Sequence, residues 1–165
     1  MNQDHAKSHG LAAYSMVSWL NGNRPTDISL SGPPVHYGIG TPRTKEDTEI
    51  AIKRLLAAPV GEMLASGGEE RGHIVPSRPE VARALELAGR LGPGDRVDHL
   101  ERCYHDLRST VCSPKIWSGI SSLAACLLRR RSMGGDRVSA VLRSSMADGK
   151  HKGAVFPLTR KITIV

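Results

Sequence analysis

One stretch constrains the fold more than any other. Ile116, Ile120, Leu123, Ala124 and Leu127 recur at offsets of four, seven, eight and eleven, with Trp117 and Leu128 beside them. That is the course of one apolar face on an α-helix of about five turns. Ser113-Pro114 opens the stretch with a capping hydroxyl and a residue whose fixed φ suits the first helical position. Its other face holds Lys115, Ser118, Ser121 and Ser122, and it runs out through Arg129-Arg130-Arg131. An apolar stripe this wide has to be buried against other elements. With one Phe, two Trp and three Tyr in the chain, those partners are Leu, Ile, Val, Ala and Met side chains, which pack well between helices.

The rest of the chain supplies helices to meet it. Residues 9–20 read as a short helix burying one face through Leu11, Tyr14, Val17 and Leu20, closed by Asn21-Gly22-Asn23-Arg24-Pro25. Residues 25–43 hold four of the ten prolines plus Gly32, Gly38 and Gly40. They read as an extended loop or arm, with a short strand at 35–39 as an option. Its Ile28, Leu30, Val35, Tyr37 and Ile39 either wrap across the chain's own core or dock onto a partner. Thr44 caps a second helix with Glu46, Asp47 and Glu49 in its first turns. Pro59 should kink that helix or start a new turn before Ser66-Gly67-Gly68 stops it. Ser77-Arg78-Pro79-Glu80 has the form of a capping box, followed by a stripe of Val81, Ala84, Leu85, Ala88 and Leu91. Gly92-Pro93-Gly94 ends it, and Asp95 caps a further helix with Val97, Leu100, Tyr104 and Leu107 on one face, giving helix, four-residue turn, helix.

After Gly134-Gly135, Asp136 reads as the cap of a sixth helix with Val138, Val141, Leu142 and Met146, although alternation over 137–142 also suits a strand. The β-branched tail, Ala154-Val155-Phe156 and Ile162-Thr163-Ile164-Val165, suits a small hairpin or an edge strand. The expected fold is therefore mainly α. It is a compact bundle of five or six helices in one domain over 1–165, with a Pro-rich N-terminal loop and, as an option, a small C-terminal β element.

Several classes are excluded by composition. No apolar run approaches the roughly 20 residues that span a bilayer, and the first residues lack the basic start and apolar stretch of a secretory signal. Cys103, Cys112 and Cys126 are an odd number in a chain long enough to fold unaided, which favours free thiols in a reducing, cytoplasmic setting. The net charge of +7 is unevenly placed: residues 101–165 carry twelve bases against four acids, while the first 100 residues are close to neutral. Such asymmetry points to a polyanion or an acidic protein surface rather than to a fold.

The basic residues Lys115, Arg129, Arg130, Arg131, Arg137, Arg143, Lys150 and Lys152, with Arg160 and Lys161 beyond them, are the candidate binding set. Each phosphate they neutralise would release counterions and add salt-sensitive affinity without any base reading. Residues 95–131 could be arranged as a helix-turn-helix, with the 114–131 helix toward a groove. Against that, the face it would present is serine-rich where base readers are expected.

Other chemistries find little support. His99 and Cys103 stand at i, i+4, but His105 points elsewhere and no paired-cysteine spacing completes a zinc site. Cys112 precedes a helix start, which could activate a thiol, yet nothing in the sequence draws His36, His73 or His105 to it. No GxxxxGK[ST] is present, and His36-Tyr37-Gly38-Ile39-Gly40 lacks the third glycine of a dinucleotide loop. Neither a metal nor a cofactor is expected. The sequence thus points to a nucleic-acid-binding regulatory or accessory protein with duplex DNA as the favoured target. The alternative is a protein-binding module or inhibitor whose basic face docks an acidic partner such as a polymerase or nuclease subunit. A small Cys/His hydrolase is the remote third.

Overall fold

A computed structural model describes residues 2–31, 40–67, 73–74, 78–147 and 163–164. Among these are six helices: α1 (Gln3–Leu20), α2 (Lys45–Ala65), α3 (Pro79–Ala88), α4 (Arg96–Val111), α5 (Pro114–Arg130) and α6 (Gly135–Ala147). Four two-residue strands, β1 (Ile28–Ser29), β2 (His73–Ile74), β3 (Ser132–Met133) and β4 (Thr163–Ile164), form two small pairs. The mainly α bundle expected from the apolar periodicity is the fold observed.

Packing runs in the order α6, α5, α1, α2 and then the α3–α4 pair. α1 is the centre of this arrangement, and every residue from 8 to 18 is buried. A helix buried all round shows no single apolar stripe, which is why the spacing of Leu11, Tyr14 and Val17 understates it. The helix also begins six residues earlier than expected, at Gln3, because the Asn2 side chain accepts the Asp4 backbone N–H at 3.1 Å and caps it.

Small residues let α2 approach this central helix closely. A Cβ added at Gly61 would lie 2.6 Å from Ala13 Cβ and 2.6 Å from the His9 carbonyl oxygen. One added at Gly10 would meet Glu62 Cγ at 2.7 Å. Arg54 of α2 fastens the far end of the contact, donating to Tyr14 Oη at 3.2 Å and Ser18 Oγ at 3.1 Å. α2 runs through buried Pro59 without a break, although the proline gives up the bond to the Leu55 carbonyl.

Three expected helix ends are placed differently. α3 is capped by Arg78, which makes no side-chain cap bond. Its guanidinium is taken by Glu62 at 2.8 Å and by Glu80 at 2.7 Å, and Ser77, the expected cap, lies outside the described residues. α3 ends at Ala88 rather than Leu91, leaving a seven-residue connection, 89–95, in which Leu91 is still buried. α6 is not capped by Asp136. Its first N–H, at Gly135, donates to Asp27 Oδ1 at 2.8 Å, while Asp136 pairs with Arg24 at 2.7 Å. Thr44, Asp95 and Ser113 do cap α2, α4 and α5 as their positions imply, accepting from Asp47, Val97 and Ile116 N–H groups.

Part of the proline-rich segment lies against the chain's own core. Ile28 and Leu30 are buried, and β1 pairs antiparallel with β3, Ile28 opposite Met133 and Ser29 opposite Ser132. The option of a strand at 35–39 lies outside the described residues. At the other end of the described residues β4 pairs in parallel with β2, Thr163 opposite His73 and Ile164 opposite Ile74. Ala154, Val155 and Phe156 lie outside the described residues. No single described helix is long and apolar enough to cross a membrane.

Candidate nucleic-acid interface

The apolar face of α5 is spent on the core: Ile116, Trp117, Gly119, Ile120, Leu123, Ala124 and Leu127 are buried against α1 and α6. What remains outward is a strip of Lys115, Ser118, Ser122, Ala125 and Arg129. Lys115, Ser122 and Arg129 stand seven residues apart, nearly in line along the helix axis. α5 contains no acidic residue, and between Ser113 and Ala147 Asp136 is the sole carboxylate.

α6 returns alongside α5. An added Cβ at Gly119 would stand 3.7 Å from Ser145 Cβ and 4.0 Å from Met146 Sδ, so the last turns of α6 lie beside the first turns of α5. The α5–α6 pair is therefore an antiparallel hairpin. Arg137, in the first turn of α6, falls at the end that holds Arg129 and Arg130. Arg143 falls toward the end that holds Lys115. Lys115 and Arg129 are separated by 14 residues, or roughly 21 Å of helix.

These cations differ in what folding alone explains. Arg129 and Arg130 sit in the last turn of α5, where the helix dipole favours positive charge. Lys115 sits in the first turn, where the same dipole opposes it and no acid offsets it. Arg131 is the left-handed C-cap, with φ of 66°. Non-glycine residues meet a cost of about 1–2 kcal/mol there. Its own N–H bonds the Leu127 carbonyl at 2.8 Å, its carbonyl accepts from Leu30 N–H at 2.9 Å, and its guanidinium meets Asp4 at 2.6 Å. Arg131 thus closes the fold and is engaged by a carboxylate. Arg129 donates to Cys126 Sγ at 3.3 Å. Lys115, Arg130, Arg137 and Arg143 are exposed and make no ion pair with a described residue. Lys150, Lys152, Arg160 and Lys161 lie outside the described residues.

α4 and α5 are joined through Cys112 and Ser113 and meet at 80°. A DNA-reading helix-turn-helix has a three- to four-residue turn and a crossing of about 90–120°. The joint here is shorter and tighter, and the exposed middle of α5 presents serine and alanine.

The remaining candidates resolve into structural roles. His99 is buried, with Nδ1 3.1 Å from the Ala88 carbonyl, and so ties α4 to the end of α3. Cys103 is buried, and burial followed by the nearby Glu49 charge pushes its thiol above the usual range. His105 is exposed and lies edge-on to Tyr104. No group of three metal-ligating side chains converges among the described residues. Cys112 is the half-buried C-cap of α4, and the following helix start takes the Ser113 hydroxyl rather than the thiol. His36 lies outside the described residues, and His73 enters only as a backbone position of β2.

Two clusters were not foreseen. Arg78 bridges Glu62 and Glu80, and although burial opposes its charge, the two carboxylates hold its pKa above the ordinary value. His5 and His9 form an i, i+4 pair with ring centroids 4.5 Å apart, and His9 stacks on Trp117 at 5.6 Å. Burial lowers the pKa of His9, outweighing its bond to the His5 carbonyl at 2.9 Å. The i, i+4 spacing of the two histidines was the available signal; the arrival of Trp117 from a helix a hundred residues later was not.

No protein-family model matches this chain, and a search of curated proteins returns no relative.

Proposed function

We propose that this protein binds nucleic acid in a regulatory or accessory role, using the outward surface of the α5–α6 hairpin. The observation that carries this reading is the acid-free outer strip of α5, with Lys115 and Arg129 exposed at its two ends. Arg130, Arg137 and Arg143 extend the same charge, while Arg131 is committed to Asp4 and left-handed backbone geometry. Exposed arginines without acidic partners are the groups that neutralise phosphates and release counterions. Cys103, Cys112 and Cys126, none bonded to another, support a reducing, cytoplasmic setting for that work.

The test is retention of a labelled duplex measured across a salt series. The parent should bind at low salt and lose affinity linearly in log salt, and Arg129→Glu with Arg130→Glu should weaken binding to every sequence alike. A parent that ignores DNA, RNA and heparin alike at low salt overturns the proposal, and so does a double variant that binds as tightly as the parent. Capture of one defined acidic protein with no nucleic-acid retention would transfer the same surface to the protein-docking alternative.

A further inference from the structure

We infer that the partner of this surface is double-stranded B-form DNA, gripped through its backbone alone, with α5 laid across one groove and its two ends on the phosphate rows that flank it. The inference rests on the nucleic-acid reading above and narrows it to one class of target and one mode of contact.

Spacing is the first argument. Lys115 and Arg129 lie on one line of α5 roughly 21 Å apart. The major groove is about 12 Å wide, so this span covers the groove and the phosphates on either side. Along the hairpin axis, α6 brings Arg143 level with the Lys115 end and Arg137 level with the Arg129 end, and being six residues apart they point about 120° from each other around α6. Charge at both ends of a helix with none between is the pattern that two separated rows of phosphate complement.

The residues between the ends say how the groove is used. Ser118, Ser122 and Ala125 are short, and none offers the bidentate geometry with which Arg, Asn or Gln reads a base edge. α5 is flanked by α1 and α6, so it cannot sink to the floor of a groove about 8.5 Å deep. Serine hydroxyls at this depth suit phosphate and sugar oxygens, contacts that position a protein but carry no sequence information.

Single strands are disfavoured by what the surface lacks. Proteins that hold single-stranded nucleic acid stack bases on aromatic rings. Among the described residues no Phe, Tyr or Trp ring is exposed: Tyr14, Tyr104 and Trp117 are buried and Trp19 is half-buried. The narrow, deep major groove of double-stranded RNA cannot take this helix across it, so the major groove the span fits is that of B-form DNA. Finally, Lys115 stands where the helix dipole opposes a cation, so its position has no explanation in the stability of α5.

The test compares two duplex DNAs of unrelated sequence, one of their single strands, and a duplex RNA of equal length, each across a salt series. The two DNA duplexes should bind within about threefold of each other, with the single strand and the RNA duplex on the order of tenfold weaker. Lys115→Gln and Arg129→Gln should each lower the slope of log affinity against log salt by about 0.9, and the double variant by about 1.8. Lys115→Arg and Arg129→Lys should keep the parental slope, and Lys45→Gln, on exposed α2 surface, should leave it unchanged. Circular dichroism of each variant confirms that these exposed changes leave the helices intact. Tighter or equal binding of the single strand or the RNA, a preference above tenfold between DNA sequences, or a parental slope in the double variant overturns the inference. Failure of all four nucleic acids and heparin to bind the parent is a different result, and removes the proposed function itself.

Discussion

Replacing Gly61 by alanine sets two physical effects against each other at one atom. In an exposed helix the change would stabilise by about 1 kcal/mol, because alanine loses less backbone freedom on folding. Here the new methyl would stand 2.6 Å from Ala13 Cβ and 2.6 Å from the His9 carbonyl oxygen. Both obstacles belong to the central helix, and neither can rotate away. Relief requires the axes of α1 and α2 to separate, loosening Ala12, Ala13, Ala57 and Ala58, all within 2% of complete burial. Overfilling a packed core costs roughly 1–3 kcal/mol, and two immovable neighbours place this site near the upper figure. The net expectation is a loss of about 2 kcal/mol, or a melting temperature lowered by roughly 4–8 °C for a chain of this size. Thermal and urea unfolding followed by circular dichroism measure it directly. Gly10→Ala should cost less, since its backbone neighbour, the Ala58 carbonyl oxygen, stands off at 3.0 Å and the closer Glu62 side chain can shift at the expense of its Arg78 pair. A Gly61→Ala protein more stable than the parent would refute the close approach of α1 and α2.

Four further outcomes follow from particular contacts. Burial holds the His9 imidazole below its ordinary 6.5, so the unfolded chain takes up this proton first as pH falls. The corresponding stability is complete above 6.5 and declines as pH drops beneath it, and a His9→Phe variant should show a shallower decline in urea midpoint between about pH 7.5 and 5.5. Asp27→Ala removes the remote cap on Gly135 N–H and should cost about 1 kcal/mol. Asp136→Ala breaks a solvent-exposed pair with Arg24 and should leave the unfolding midpoint where it was. Arg131→Gly relieves the left-handed backbone and, since its Asp4 pair is half-exposed, should raise stability by about 1 kcal/mol. A lower midpoint in that variant would mean that the Asp4 contact outweighs the backbone strain.

What could be read from the sequence followed from local physics. The start of α5 is visible in Ser113-Pro114 and its buried face in Ile116, Ile120, Leu123 and Leu127, because capping and helical spacing involve residues within a few positions of one another. The same holds for Thr44 and Asp95. The misplaced features all depend on distant residues. Asp136 looked like a cap because a carboxylate precedes an apolar stripe. The helix instead starts one residue before it, and its first N–H, at Gly135, goes to Asp27, more than a hundred positions away, where no local rule looks. Arg78 is held by Glu62 of α2, a contact across 16 positions that no local pattern announces. The full burial of α1 was hidden because its Ser8, Gly10, Ala12, Ala13 and Ser15 look polar or indifferent, and become interior only when α2 and α5 enclose them. The candidate interface was legible as charge, while the separation of its cations into two ends needed the return of α6 beside Gly119.

The central position of α1 has a consequence for how the chain is made. This helix leaves the ribosome ahead of the five other described helices, yet one of its two main coverings, α5, is completed about 110 residues later. At 5–20 residues per second, the side of α1 destined for α5 waits roughly 5–20 s for its partner. During that interval Met16 lacks the Gly119 surface it packs on, and the strand formed by Ile28 and Ser29 has no Ser132 and Met133 to pair with. α1 and β1 are thus committed to their native places only once α5 and β3 have emerged, which makes their docking a late event in synthesis.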